Sequence, residues 1–468
     1  MDMSLTAATL PVGPPRAAWQ RDDRHALLLA VLMGVLIVLM IVPEGLDYGS
    51  LSTNRAPDSG GFVSRALWFG VLALSAVVVW SRAGLAWLLV RTVSPFLLLF
   101  LLLAIASVGW SIDPALSLRR LLRLATIVLA CVAFTLMAWH ARRFQNVVRP
   151  VLTGVLLASL AFGLVFPELA IHHAAAAELS GAWRGLANHK NGFGALACLG
   201  LVFWFHAGLT GEAGKPAAVA GITLSVLCLA LSHSSTSAAA AVFVVVFLLV
   251  ALRPPGALRR FVPWLVGLLV ALLLVYALTI LDLIPGRSEL LAPIAALSEK
   301  DATLTGRTGI WAVLSEHISR RPLLGTGYAA YWTAGPVRGT ESYEFVWRLN
   351  GFYPGSAHNG YLAVVNDLGW VGLACLLGYL VSHVRQALRL LPADRNLAVL
   401  VLAVFFQQAV SNVSETHWFS VLSVDFVLMT LASTALARAL LEGRLRSAFG
   451  DPQHRARHDA DRLDRPTR

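Results

Sequence analysis

Charge is what this chain has least of. Of its 468 residues only 13% are charged, against 57% hydrophobic, and the mean hydropathy is +0.69. Soluble domains carry about 25% charged residues, so an ordinary water-soluble fold is excluded. Cysteine is also scarce: Cys131, Cys198, Cys228 and Cys375 all lie in apolar runs, with neither disulfide nor zinc spacing, and read as packing residues. No internal repeat divides the chain into related halves. No cleavable leader is expected, because residues 1–25 are polar and end in Arg16, Arg21 and Arg24 before the first apolar run, which reads as an uncleaved anchor.

What the chain does have is a succession of apolar runs of the length needed to cross a bilayer, roughly 20 residues each. About twelve are expected, near 26–42, 62–80, 94–110, 120–139, 147–166, 190–208, 217–231, 237–252, 262–282, 360–381, 396–413 and 420–441. The expected fold is all-α, a polytopic membrane helical bundle of about twelve transmembrane helices with one long outward loop. Its divisions are a cytoplasmic segment at 1–25, helices 1–9 in 26–282, the loop with an amphipathic helix at 283–359, helices 10–12 in 360–441, and a basic, disordered tail at 442–468.

Basic residues orient such a chain, because inward loops retain them. With a cytoplasmic amino terminus, the inward loops hold Arg82/Arg91, Arg142/Arg143/Arg149, Lys215, Arg253/Arg259/Arg260 and Arg385/Arg389/Arg395, and the tail is basic as well. The net charge of +11 is therefore explained without nucleic acid. Arginines on the other side run against that bias: Arg119, Arg120, Arg123, Arg184, Arg307, Arg320, Arg321, Arg338 and Arg348, with His189 and Lys190. An anionic partner at the outer face accounts for such a set. The alternative is pairing with Glu178, Glu289, Glu299, Glu316, Glu341 or Glu344, or contact with lipid head groups.

Three outward stretches stand out. In 305–322 the spacing of Ile310, Trp311, Leu314 and Ile318 predicts a helix lying along a surface, stopped by Pro322. Arg307 stands at its start, where a guanidinium beside free backbone N–H groups suits a diphosphate; the alternative is an arginine tied to a carboxylate. The turn-rich PLLGTGYAAYW that follows presents aromatics, and Tyr328, with Trp311 before it, is a candidate for stacking on sugar rings or for anchoring at the interface. In SAHNGYLAVVNDLGWVGL, His358 lies at the outward mouth of a span beside Ser356, Asn359 and Gly360, as a general base or as a helix cap. In GAWRGLANHKNGFG (181–194), Arg184, His189 and Lys190 crowd the entry to another span, as phosphate ligands or as a lipid-facing cluster. No aspartate pair or metal-ligand spacing occurs in the outward loops, so no metal and no cofactor is expected.

GRTGIWAVLSEHISRRPLLGTGY followed by AHNGYLAVVNDLGWVGL resembles the O-antigen ligase/polymerase superfamily, the Wzy-type polymerases and O-antigen ligases. That family shows an R-x-x-x-W helix, a P-x-x-G-x-G turn and H-N opening a span with an L-G-x-x-G tail. WSIDPALSLRR and GAWRGLANHKNGFG are similar to the exopolysaccharide polymerase branch, the ExoQ-like proteins. The resemblance implies a GT-C-like bundle in the bacterial inner membrane, both termini cytoplasmic and the active site facing the periplasm. It implies transfer of a glycan from undecaprenyl diphosphate to an acceptor hydroxyl, the acceptor sugar of a second lipid-linked repeat, without metal. His358 would be the base and Arg307 the diphosphate clamp, with Arg184, His189, Lys190, Asn359, Trp311, Tyr328, Arg348 and Arg120 around the substrates. Membrane lipids, a chain-length regulator and export machinery are the further partners it implies. Ligases of the family carry an arginine where this chain reads SHSSTS (232–237), so Arg184 or Lys190 must supply the second cation. The competing expectations are a ligase joining finished glycan to a lipid or protein acceptor, a polytopic transporter, and a non-catalytic partner of an export machine.

Overall fold

The computed structural model describes residues 15–42, 62–137, 143–173, 179–254, 256–280, 307–333, 335–421 and 423–449. The expected features at 43–61, 283–306 and 451–468, together with Arg142, Glu178, Glu289 and Glu299, lie outside them. Among the described residues all regular structure is helical, apart from one isolated bridge between Ile171 and Trp183. The helices are α1 (Pro15–Ile41), α2 (Phe62–Ser81), α3 (Ala83–Val90), α4 (Pro95–Ala106), α5 (Pro114–Met137), α6 (Arg143–Val165), α7 (Lys190–Thr210), α8 (Lys215–Leu231), α9 (Ser235–Leu252), α10 (Val262–Ile280), α11 (Arg307–Arg320), α12 (Gly360–Leu390), α13 (Arg395–Ser411) and α14 (Val424–Phe449), with a few single turns between them.

Among the described residues, seven helices are long and apolar enough to cross a bilayer: α2, α5, α6, α7, α9, α12 and α14. The α3–α4 pair makes an eighth if it is one broken span, since it bends by 105°. Shorter apolar helices lie at Ala30–Ile41, Lys215–Leu231, Val262–Val275 and Arg395–Ser411. The chain is a multi-pass helical membrane protein. Each of the twelve expected runs carries a helix, but among the described residues these seven or eight have spanning length and composition. Several boundaries differ from the sequence reading, and two of the differences move charged residues. The inward loop expected around 81–93 is the helix α3, where Arg91 lies 4.7 Å over the Trp87 ring. Helix α5 starts at Pro114, so Arg119, Arg120 and Arg123 sit on its first turns, not in a loop.

Burial separates core from periphery. The spanning window of α14 is 89% buried and that of α7 72%, whereas that of α2 is 17% buried. Phe62, Trp80, Leu164 and Trp264 stand outward and exposed. In water such exposure costs about 25 cal/mol per Å²; hydrocarbon removes the penalty.

One break in the helical ladder fixes the loop between α11 and α12. Gly369, inside α12, has φ +66, and a Cβ there would lie 2.1 Å from the Leu323 carbonyl oxygen. Only glycine satisfies both the left-handed backbone and the close approach. A break inside a bilayer frees polar groups that cost several kcal/mol each if unpaired. The segment Pro322–Gly327 pairs them: Thr326 N and Gly327 N donate to Asn366 O and Asp367 O, both at 2.9 Å. In return Trp370 N donates to Pro322 O at 2.9 Å and Val371 N to Leu323 O at 3.4 Å. Asp367 Oδ2 accepts from Ala329 N at 3.0 Å. Arg120 donates from α5 to the carbonyls of Ala329 and Trp332. The P-x-x-G-x-G and L-G patterns are thus two halves of one interlock.

Gly369→Ala is expected to eject this segment, lowering the unfolding midpoint in detergent by an amount equivalent to at least ~2 kcal/mol. Gly267→Ala, in open space on α10, should leave the midpoint unchanged or raise it slightly.

Candidate active site

The amino-terminal ends of α7, α9, α11 and α12 meet the α13–α14 connection at one end of the bundle. Each end is positioned by its own sequence. Asn359 caps α12, its Oδ1 accepting from Tyr361 N and Leu362 N at 2.9 Å. His189 caps α7 through Nδ1, accepting from Asn191 N at 3.3 Å. Ser234 caps α9, accepting from Ser237 N at 3.4 Å. The SHSSTS run therefore closes a tight helix hairpin, and its Thr236 hydroxyl lies 2.8 Å from that of Ser414.

The connection after α13 is stitched to the start of α12. Gly360 N donates to Asn412 O at 2.8 Å and Asn359 Nδ2 to Val413 O at 3.1 Å. A Cβ on Gly360 would sit 1.9 Å from the Asn412 side-chain oxygen, so the approach requires glycine. The staple delivers Glu415 to the site. Its Oε1 accepts from Arg307 Nη2 and from Asn191 Nδ2, both at 2.6 Å. Its Oε2 lies 3.5 Å from His358 Nδ1, within electrostatic reach but beyond a normal hydrogen bond. Burial pushes the Glu415 carboxyl up, but His358, Arg307 and His417 outweigh it and hold it down, to about 2. His417 is set by Ser423 Oγ at 2.9 Å and Asp425 Oδ2 at 3.7 Å.

His358 has φ +45, a conformation uncommon outside glycine that concentrates at functional sites. It is held there from both sides. The preceding Ala357 carbonyl accepts from the indole Nε1 of Trp311 at 3.0 Å, and the following Asn359 is the cap. About a quarter of the imidazole, 26%, remains open.

A second layer of basic groups backs this centre. The rings of His172 and His189 lie 5.1 Å apart, and His172 Nε2 accepts from Lys190 N at 3.3 Å. Burial, and then the neighbouring positive groups, push both imidazoles down to about 4; His358, Lys190 and Arg307 act on His189, Arg184 and Lys190 on His172. Both histidines are neutral acceptors. Arg184 is buried, its Nε donating to Leu169 O at 2.6 Å.

The expected site residues divide. His358, Arg307, His189 and Lys190 come together, with Arg184 beside them. Asn359 is spent on capping. Trp311 and Tyr328 are turned inward, 2% and 3% exposed, and the Tyr328 hydroxyl donates to Phe419 O at 2.6 Å. In this conformation neither ring faces a sugar. Arg120 holds the loop, and Arg348 pairs at 2.7 Å with Glu316 on the outer face of α11. Arg321 with Glu341 and Arg320 with Glu316 follow the pairing alternative. Glu415 was absent from the expected set, and Asn191, which crowds the same helix entry as His189 and Lys190, joins them by holding it. The acid in SNVSETHWFS sits in a loop of unremarkable composition, and its lack of an outward basic neighbour in sequence hid its partners.

A family model described as O-antigen ligase matches residues 220–377, covering α9, α11 and the α12 break. The chain is also 32% identical over 321 residues to the exopolysaccharide production protein ExoQ of Rhizobium meliloti (strain 1021), an alignment spanning 65% of this chain and 67% of that one. The chain belongs to the O-antigen ligase/polymerase superfamily. Within it, the chain is ExoQ-like.

The folded site keeps His172 and His189 neutral down to about 4, whereas a solvated imidazole protonates near 6.5. Between those values the unfolded chain binds more protons, so stability rises with pH through the window and falls on acidification. Unfolding midpoints measured from pH 4 to pH 7 should show this slope, and the His172→Gln/His189→Gln variant should flatten it.

Proposed function

We propose that this protein is an exopolysaccharide or O-antigen-type polymerase. It moves a glycan repeat from undecaprenyl diphosphate onto the acceptor sugar of a second lipid-linked repeat, at the periplasmic face of the bacterial inner membrane. The observation that carries the reading is the convergence of His358 and Arg307 on one half-buried carboxylate, Glu415, among helix amino termini. Arg307 pairs with Glu415 at 2.6 Å, while Lys190 acts on both His172 and His189 and Arg184 on His172. Cationic side chains gathered in this way suit a diester diphosphate. The aligned starts of α7, α9 and α12 add the positive ends of their dipoles.

The chemistry needs two services. His358 takes the proton of the acceptor hydroxyl as that oxygen bonds to the anomeric carbon, which contributes ~10²–10⁴-fold. Arg307, backed by the cations around it, neutralises the charge that develops on the diphosphate as its bond to the sugar breaks; one such donor is worth ~10²–10³-fold in a preorganised site. Glu415 orients both groups, holding the guanidinium by a charge-assisted bond and facing the Nδ1 side of the imidazole, so that Nε2 is the base. The outer loop between α11 and α12 excludes water, the competing acceptor.

The name of the ExoQ relative, an exopolysaccharide production protein, and the missing arginine in SHSSTS favour a polymerase. The O-antigen ligase description of the family model favours the second reading, transfer of a finished glycan to another acceptor through the same site. Deletion separates them: single repeats accumulate on the lipid carrier without a polymerase, full-length chains without a ligase.

Purified protein incubated with lipid-linked repeat units is expected to yield higher oligomers. His358→Ala and Arg307→Ala should each lower that rate by at least ~10² while the protein still inserts. Wild-type chain lengths from either variant would remove the mechanism. Glu415→Gln, nearly isosteric, should slow the reaction at least ~10-fold by loosening both groups.

A further inference from the structure

At the far end of the bundle the chain carries a second basic feature that glycosyl transfer does not use. Beyond its break at Gly369, the second half of α12, residues 370–390, leads away from His358 for about 30 Å at 1.5 Å per residue. The turn after it, 391–394, is a wall shared by two cavities. One, of about 590 Å³, is lined by Arg260, Val262, Pro263, Pro392 and Arg395. The other, of about 400 Å³, is lined by Gln386, Arg389, Ala393, Leu440 and Arg444. No carboxylate is among the described residues lining either. The nearest acids in sequence are Asp394, which caps α13 by accepting from Leu397 N at 3.0 Å, and Glu442, which accepts from Arg438 Nε at 2.9 Å.

Membrane orientation accounts for arginines near the ends of spans, but it requires no cavity around them. Here each hollow joins apolar walls (Val262 and Pro263, or Leu390 and Leu440) to a pair of guanidinium groups. That is the shape of an amphiphile whose tail lies along helices and whose phosphate sits at their ends. Arg260 Cζ lies over the Phe261 ring, 4.9 Å from its centroid, and Arg395 is steadied by donating to Ala251 O at 2.7 Å. Guanidinium groups so held are preorganised for phosphate oxygens, and basic pockets between helices bind anionic lipid head groups.

We propose that the two cavities flanking the α12–α13 turn bind the phosphate head groups of anionic phospholipids, in the leaflet opposite the transfer site. This assignment is independent of the reaction assigned to the outer end. The test is the unfolding midpoint of the full-length protein in detergent, titrated with phosphatidylglycerol, phosphatidylcholine or inorganic phosphate. Phosphatidylglycerol should raise the midpoint at concentrations where phosphatidylcholine does not. The Arg260→Gln/Arg389→Gln variant should need roughly tenfold more of it for the half-maximal shift, while Arg260→Lys/Arg389→Lys keeps most of the response. An equal shift from phosphatidylcholine would overturn the proposal. So would inorganic phosphate reproducing the shift, which makes the ligand a soluble anion, or an unchanged dose in the glutamine variant. If that variant fails to fold, the three-way comparison on the wild-type protein decides alone.

Discussion

A single carboxylate holds one end of this bundle together. Glu415 ties the start of α11 through Arg307, the start of α7 through Asn191 and the start of α12 through His358. None of these segments is near another in sequence. A half-buried ion pair of this kind gives little net stability over an apolar replacement, yet removing one partner strands the other. On the proposed reading, Arg307 is shared between this carboxylate and the arriving diphosphate.

The interlock at Gly369 does for the backbone what Glu415 does for the side chains. A loop over a membrane protein has no sheet or core of its own to brace it. Here it is braced by a broken helix, whose unpaired carbonyls and amides are the only rigid hydrogen-bonding partners the bilayer permits. Thr326, Gly327 and Ala329 bind the break, Arg120 binds the loop from α5, and Tyr328 is driven into the bundle. The aromatics in this stretch pack on one another, Trp332 against Phe345 with ring centroids 4.9 Å apart. They build the wall.

Much of this was legible in the sequence. Apolar runs located each helix, since a bilayer sets the length of a span, but α1, α5, α12 and α14 extend past the expected ends. His358 and Arg307 stood out because an imidazole and a guanidinium at the mouths of helices run against both hydropathy and orientation bias. What stayed hidden depended on pairing at a distance. Glu415 is ordinary until α12 and α13 are stitched side by side. Asn359, Trp311 and Tyr328 have side chains suited to a substrate, and only the fold reveals that their polar atoms are already taken. The 105° bend between α3 and α4 was missed because Arg82 and Arg91 read as a loop, although the residues between them are apolar.

The burial of α14 has a consequence for biogenesis. This helix emerges from the ribosome after the other described helices, yet it occupies the middle of the bundle. Its Thr434 accepts a hydrogen bond from Thr135, 299 residues earlier, its Ser433 meets the Tyr379 hydroxyl at 2.6 Å, and its Arg438 reaches back to the Thr135 carbonyl. The helices made first must therefore wait in the lipid around an unfilled centre, and the polar groups facing it find their permanent partners only when the late arrival slides in.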